Sequence, residues 1–327
     1  MRDFSYFRAT SAAEAGKAAQ QAGAMLLAGG TTLLDLAKCG VSEPDTVIDI
    51  THLSGMSGIA VDAAGARIGA LARMSEVADH RDIQAAFPAV SESLSLAASA
   101  QLRNMATIGG NLLQRTRCSY FRDPGTFPAC NKRNPGSGCA AIGGVTRNHA
   151  VLGTSDACIA SYPGDLAVAL VAFDAVVELA DRRMTVDELF LVPGETPDRE
   201  TLLQRGEMIT GITIPASAAA RNSTYIKVRD RQSYEFAAAS AAVGLELEAD
   251  GKTVRDIRVA IGGVATKPWR ARAVEQALIG KALNLESVEK ASRFAVEGAV
   301  AHGGNHYKIE LAPRVVARAI LKMGGLA

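Results

Sequence analysis

Leu26-Leu27-Ala28-Gly29-Gly30-Thr31-Thr32-Leu33 is the stretch that decides how the chain folds. An apolar strand runs into two glycines and two hydroxyl residues, and a helical pattern from Leu33 to Lys38 follows. Glycines let backbone amides approach a phosphate closely, and a helix start adds further amides and the positive end of its dipole. The bland alternative is a tight strand-to-helix turn. Neither a G-x-G-x-x-G fingerprint nor a Walker A loop occurs in the chain, so any phosphate held here is held by another kind of turn. Outward from this loop, strand and helix alternate. Phe4 to Phe7 reads as a strand, and Ser11-Ala12-Ala13-Glu14 as a capping box opening an Ala-rich helix that stops near Gly23. Met25 to Ala28 and Thr46 to Ile50 read as further strands, completing a small β-α-β-α-β unit.

A second loop of the same kind is Ala106-Thr107-Ile108-Gly109-Gly110-Asn111. Gly-Gly is a common turn dipeptide, but two such loops in one unit suggest a single phosphate-bearing ligand between them. Asp165, in Ser161-Tyr162-Pro163-Gly164-Asp165, is a third polar candidate, with an N-cap for the helical run from Leu166 as its plain reading.

The cysteines point to different chemistry. Cys118, Cys130, Cys139 and Cys158 crowd together with spacing C-x11-C-x8-C-x18-C, and Cys39 stands apart at the end of the first unit's second helix. This is no zinc ribbon, which needs paired C-x2-C knuckles, and no ferredoxin run. Four thiolates do match the number a cubane iron–sulfur cluster needs; the alternative is a loop with incidental thiols. The surrounding stretch, residues 114 to 150, has little periodicity and carries Arg115, Arg117, Arg122, Lys132 and Arg133, whose charges could offset a thiolate cluster. An aperiodic stretch of that length inside a domain is usually functional.

Composition narrows the classes. The chain has 327 residues, enough for two domains with real cores. Its net charge of +1 and 5% aromatics argue for no nucleic-acid surface. No apolar run reaches a membrane-spanning length; Leu166 to Leu179 comes nearest, with Asp174 inside it. Met1 to Phe7 has no apolar core of a signal peptide, so no secretory signal is expected and an odd cysteine count does not suggest a disulfide framework. His302 and His306 are four apart, but Gly303 and Gly304 between them argue against a shared helix face, and no HExxH, catalytic triad or paired carboxylates stand out. Later in the chain Val168 to Leu179 and Met208 to Pro215 are regular, and Ala216 to Asn222 reads as a linker. Strands at Tyr225 to Arg229, Ala237 to Leu247 and Val254 to Ile261 follow, the last two joined by an Asp250-Gly251 turn. Helices at Ala271 to Leu278, Leu285 to Ala301 and about Ala312 to Met323 end the chain.

Taken together, the Ala28-Gly29-Gly30-Thr31 and Ala106-to-Asn111 loops and Gly164-Asp165 resemble the FAD-binding subunits of molybdenum hydroxylases, the xanthine dehydrogenase and carbon monoxide dehydrogenase family, over nearly the whole chain. Gln114 to Cys118 and Cys130 to Cys139 are similar to the flavoprotein subunits of periplasmic aldehyde oxidoreductases, which carry an additional 4Fe-4S cluster. The cluster-bearing subunit of 4-hydroxybenzoyl-CoA reductase is the near relative to exclude.

The resemblance implies an α+β chain: a PCMH/VAO-type FAD-binding domain of two α/β subdomains over residues 1–217, with the cluster insertion at about 114–158, then a C-terminal α+β domain of the carbon monoxide dehydrogenase flavoprotein type over 218–327. It implies FAD as cofactor. Leu26, Leu27, Ala28, Gly29, Gly30, Thr31, Thr32 and Leu33 would wrap the pyrophosphate, with Thr107, Gly110 and Asn111 completing the cradle. Asp165 would bond the adenosine half, and Ile209, in a strand with Gly206, Glu207 and Met208, would lie on the flavin side. Lys227 would approach the isoalloxazine from the C-terminal domain. Thr32 departs from the acidic residue frequent in this loop, which a backbone-driven site tolerates. Cys118, Cys130, Cys139 and Cys158 would ligate the 4Fe-4S cluster.

The function implied is electron transfer from partner 2Fe-2S clusters through FAD to an external acceptor, within a heterotrimer whose large subunit holds the molybdenum cofactor and oxidises an aldehyde. No catalytic acid or base is expected in this chain, nor nucleic-acid binding or membrane insertion. The location would be periplasmic by co-export with a signal-bearing partner, or cytoplasmic. The rival readings are an FAD subunit of a 4-hydroxybenzoyl-CoA reductase-like enzyme, a self-sufficient flavin oxidase or reductase, and a non-catalytic iron–sulfur or zinc scaffold.

Overall fold

The computed structural model describes residues 1–326. The chain opens with a three-stranded parallel sheet ordered β1 (Ser5–Arg8), β3 (Thr46–Asp49), β2 (Ala24–Leu27). Parallel neighbours need crossover helices, supplied by Ala12–Ala19 and Leu33–Lys38. Ser11 Oγ accepts from Glu14 N at 3.1 Å as a cap should, but the Glu14 carboxylate reaches one residue further back than a capping box requires, to Thr10 N at 2.6 Å.

A five-stranded antiparallel sheet follows, ordered β4 (Ile59–Asp62), β5 (Gly65–Gly69), β8 (Gly211–Pro215), β6 (Val176–Glu178), β7 (Arg183–Thr185). Between β5 and β6 the chain makes a long excursion that carries the second glycine loop, the cysteine-rich insertion and the helix Leu166–Ala172. That helix is buried all round, as its unbroken apolar sequence dictates. It packs on the helix Pro88–Ser95 and also on the C-terminal sheet. Insertion residues 114–150 contain one short helix, Ser119–Arg122, and otherwise turns and irregular backbone.

The C-terminal part is a four-stranded antiparallel sheet ordered β12 (Trp269–Arg270), β11 (Val254–Gly262), β10 (Ala239–Leu247), β9 (Ser223–Val228), covered by the helix Tyr307–Met323. A second hydrophobic core forms between them, with Val243, Val259, Val316 and Ile320 fully buried. Among the described residues no helix is long and apolar enough to cross a membrane.

Two sequence expectations fail here for identifiable reasons. Ala216 to Asn222 is no linker: Ser217 caps a short helix, Ala218–Arg221, whose Ala219 and Ala220 are fully buried. Small residues there serve close packing, since a Cβ on Gly244 of β10 would lie 2.4 Å from Ala219 O and 2.7 Å from the Phe173 ring. The helix expected over Leu285 to Ala301 breaks early, into Leu285–Ser292 and a 3-10 turn at Arg293–Val296.

Gly244→Val should therefore overpack the junction between β10 and this short helix. A cost of about 1–3 kcal/mol is expected, read as a lower thermal unfolding midpoint with the far-ultraviolet circular dichroism spectrum retained.

Candidate functional site

The two glycine loops touch. A Cβ on Gly29 would lie 2.0 Å from Met105 O, so backbone rests on backbone at this point and only glycine fits. Gly30 turns the chain with φ +71°, a region glycine enters without a steric penalty. Thr32 then occupies the N-cap of Leu33–Lys38, with no cap bond from its side chain. The first helical bonds run from Leu34 N to Gly30 O and from Leu36 N to Thr32 O. The amides before them face out of the helix start.

The second loop is more regular than its glycines suggest. Gly109, Gly110 and Asn111 fall inside a short helix, Ile108–Leu112, where the sequence pattern points to a loop. Thr107 Oγ1 caps it, accepting from Gly110 N at 3.3 Å. Ile108 N and Gly109 N donate to Ala72 O and Ala70 O, which pins the turn beyond the end of β5. Gly109 is forced by that packing, since its Cβ would meet Ala70 Cβ at 3.0 Å. Gly110 differs: a Cβ there would meet only the cap hydroxyl, at 3.0 Å.

Around these loops lies a cleft of two lobes, about 270 and 250 Å³. Thr31, Thr32 and Gly110 line both, so they form its waist. The first lobe is apolar, with Leu26, Leu33, Leu71, Met208 and Ile209 in its walls beside Ala28, Gly29, Gly30 and Thr107. The second is more polar, lined by Asn111, Gln114, Arg117 and Asp165, with Tyr234 and Phe236 at its rim. Asn111 donates to Met74 Sδ at 3.3 Å, while its Oδ1 is buried with no partner in the protein. Two expected positions line neither lobe: Leu27, whose carbonyl accepts from Ile50 N, and Lys227. Ile209 lies in irregular backbone before β8 rather than in a strand.

Asp165 and Lys227 meet at the inner wall of the polar lobe. Lys227 Nζ donates to Asp165 Oδ2 at 2.8 Å and to Leu96 O at 3.1 Å, and Tyr225 OH donates to Asp165 Oδ1 at 2.7 Å. The side chains of Lys227 and Asp165 are 1% and 4% exposed. Burial pushes the Asp165 carboxyl upward, and Lys227, Tyr225 and Arg229 pull it back down. Asp165 thus occupies the N-cap position of Leu166–Ala172 but makes no cap bond; its carboxylate is committed to β9. Tyr225 was not among the sequence candidates. Its position two residues before Lys227 puts both on one face of a strand, a signal the sequence did contain.

The insertion gathers its cysteines. Cys118, Cys130, Cys139 and Cys158 all line one small void. Cys130 and Cys139 pair as an antiparallel bridge, tightened by Asn131 N to Gly138 O at 2.7 Å. Burial pushes the Cys118 thiol up to about 12, opposed by the backbone amides of Phe121 and Tyr120. Burial also raises Cys158, and nearby Lys132 lowers it. Among the described residues no group of three or more His, Cys, Asp or Glu side chains is arranged to hold a metal ion. Cys39 lies outside the void, with Arg122 Nη2 at 3.8 Å.

The cations of the insertion have partners of their own. Arg115 pairs with Glu200, Arg117 and Arg122 pair with Asp35, and Arg133 donates to the carbonyls of Tyr120 and Phe121. Lys132 acts on Cys158 while paired with Glu200. His149, unassigned in the sequence, places Nε2 3.2 Å from Cys118 Sγ.

A mixed α/β chain with a two-lobed cleft pinched between glycine turns belongs to the class of proteins that bind a dinucleotide cofactor. The sequence pattern of the FAD binding domain in molybdopterin dehydrogenase matches residues 2–217, and that of the CO dehydrogenase flavoprotein C-terminal domain matches residues 223–323. The chain is 47% identical over 285 residues to the aldehyde oxidoreductase FAD-binding subunit PaoB of Escherichia coli, covering 85% of this chain and 86% of that one. It is 28% identical to the carbon monoxide dehydrogenase medium chain of Hydrogenophaga pseudoflava, over 97% of this chain and 96% of that one. A solved carbon monoxide dehydrogenase from the same organism superposes with a TM-score of 0.76 at 26% identity, over 100% of this chain and 99% of that one. The chain belongs to the molybdopterin dehydrogenase FAD-binding family, and it is an FAD subunit of a molybdenum hydroxylase-type oxidoreductase.

Two substitutions separate the cleft from its supports. Gly110→Leu should fill the waist and remove FAD from the purified protein, while its unfolding midpoint stays near that of the FAD-stripped wild type. Lys227→Met should leave the buried Asp165 without its ion-pair partner, costing about 3–5 kcal/mol, measured as a fall in the denaturant midpoint.

Proposed function

We propose that the chain is the electron-transfer subunit of a heterotrimeric, molybdenum-containing aldehyde oxidoreductase, whose small partner carries 2Fe-2S clusters and whose large partner carries the molybdenum cofactor. The relative at 47% identity is an aldehyde oxidoreductase subunit, which supports the substrate class. The cleft carries the reading for this chain: two lobes of similar size share a waist of backbone amides and hydroxyls, room for a ring system on either side of a pyrophosphate. The buried, partnerless Asn111 Oδ1 is an acceptor that a ligand N–H would satisfy.

The residues divide the work. Backbone amides from Gly29 to Leu33, with Thr107 and Gly110, would hold the pyrophosphate. The polar lobe, with Asn111 and Asp165, suits the hydrogen-bonding pyrimidine edge of the isoalloxazine. The apolar lobe, with Leu26 and Ile209, suits adenosine. This exchanges the halves that the family resemblance gives to Asp165 and Ile209. The reason is that Asp165 and Lys227 form one ion pair, on the side of the cleft away from Ile209. Lys227 acts through Asp165, fixing its carboxylate against the lobe.

We assign Cys118, Cys130, Cys139 and Cys158 to a 4Fe-4S cluster and leave Cys39 outside it. Four buried or half-buried thiols lining one void are the observation that supports this assignment. When bound, FAD and the cluster supply the redox chemistry, while the protein positions them and sets their surroundings. The chain's own residues anchor the insertion through Arg115, Lys132 and Glu200.

The ultraviolet–visible spectrum and the iron content of the co-purified complex test this. Cys130→Ser should lower iron per chain and raise protease sensitivity near residues 115 to 150, and Cys39→Ser should do neither. Unchanged iron in Cys130→Ser, or zinc in place of iron in anaerobically purified wild type, would remove the cluster from the assignment. A chain that purifies from its host as an active monomer would remove the heterotrimer.

A further inference from the structure

His149 is held against the cysteine void by contacts from the far end of the chain. Its ring is buried, its Nε2 lies 3.2 Å from Cys118 Sγ, and its Nδ1 is buried with no partner. The fully buried Asn305 donates through Nδ2 to Ala150 O at 2.9 Å and to His149 O at 3.5 Å. Thr146 Oγ1 donates to His302 O at 2.5 Å, and His149 N donates to Thr146 O at 2.8 Å. The imidazole is therefore not a loose surface group that happens to point inward. The C-terminal segment before the last helix fixes the backbone that presents it.

We propose that His149 is a positioning residue for the iron–sulfur cluster: its Nε2–H donates a hydrogen bond to the Cys118 sulfur and raises the reduction potential of the centre. This rests on the assignment of the four cysteines to a 4Fe-4S cluster. The direction of the bond follows from proton counting. A thiolate that ligates iron carries no proton and can only accept. A ring nitrogen 3.2 Å away must then be the donor, or two lone pairs would face each other. In a neutral imidazole that choice leaves Nδ1 as a bare acceptor. A bare acceptor is also the less costly group to bury without a partner, since orphaned buried N–H groups are the rarer defect.

The effect on the centre follows from charge. Reduction by one electron makes the cluster sulfurs more negative, so a donor to one of them stabilises the reduced form more than the oxidised form. The cysteines set the number of ligands, and the imidazole sets one term of the potential. Tyr120 confines the ring from the side, with ring centroids 6.0 Å apart.

The experiment is a dithionite redox titration of the intact complex, followed by electron paramagnetic resonance, in wild type, His149→Leu and His149→Gln. A glutamine amide can return an N–H near the position of Nε2, and leucine cannot. His149→Leu should lower the reduced-to-oxidised ratio at the wild-type midpoint about tenfold, a shift of about 59 mV for a one-electron couple. His149→Gln should stay near wild type, and iron and FAD content should match wild type in both. Equal midpoints in all three proteins would overturn the proposal.

A second measurement needs no substitution. Wild type labelled selectively with 15N-histidine should show one weak nitrogen coupling to the reduced cluster. No coupling would overturn the proposal, and so would a strong coupling of the kind direct ligation gives. Failure of the underlying cluster assignment would look different: wild type itself would lack the iron and the reduced-cluster signal.

Discussion

A buried carboxylate cannot stay charged without a partner, and the partner of Asp165 comes from the other domain. Lys227 and Tyr225 reach it from β9, and Lys227 also donates to Leu96 O beside the helix Pro88–Ser95. A lone buried charge costs several kcal/mol, so each side of this contact is unstable without the other. One ion pair thus joins the FAD-binding region, the C-terminal sheet and the inner wall of the polar lobe. The helix Leu166–Ala172 starts at Asp165 and is apolar on every side, so it wedges between the same two layers. Charge pairing and apolar burial act on one element, and the cleft takes its shape from both.

The insertion obeys different physics. It has little apolar surface to bury; Phe121 and Tyr120 lie in two small clusters with the cysteines. Ordering so many irregular residues carries a large entropic cost. What offsets it in the protein is a set of polar ties. Glu200 takes both Arg115 and Lys132, Asp35 takes Arg117 and Arg122, and Arg133 forks onto neighbouring carbonyls. The cations that look in the sequence like counter-charges for a cluster are mostly fasteners. Asp35 sits in the helix that begins at the first glycine loop, and Arg115 lines the apolar lobe. The thiol void and the cofactor cleft are therefore mechanically connected.

Local patterns carried much of this. The alternation of strand and helix through the first fifty residues, the antiparallel strands after Ser223, and the strand–glycine–helix turn at Leu26 to Leu33 are all short-range signals, and the structure keeps each within a residue or two, except that the first helix ends at Ala19 and not near Gly23. Where such patterns misled, tertiary packing prevailed over composition. The Gly109-Gly110 pair is helical because Thr107 caps it and Ala70 and Ala72 hold it. Ala218–Arg221 is a short helix with Ala219 and Ala220 buried because β10 brings a glycine up against it.

The residue types and their spacing by themselves determined the strand–glycine–helix turn at Leu26 to Leu33 and the grouping of four thiols along the chain, because each is written in neighbouring positions, while the domain class followed from the resemblance to the flavoprotein subunits. Only the tertiary structure decided which groups meet. Residues 29 and 105, 165 and 227, and 118 and 149 are far apart in the chain, and no local pattern encodes the contact between them. Partnership between distant polar groups depends on how the sheets and the insertion close around them. For that reason the contact of Lys227 with Asp165, and that of His149 with Cys118, exist only once the fold has closed.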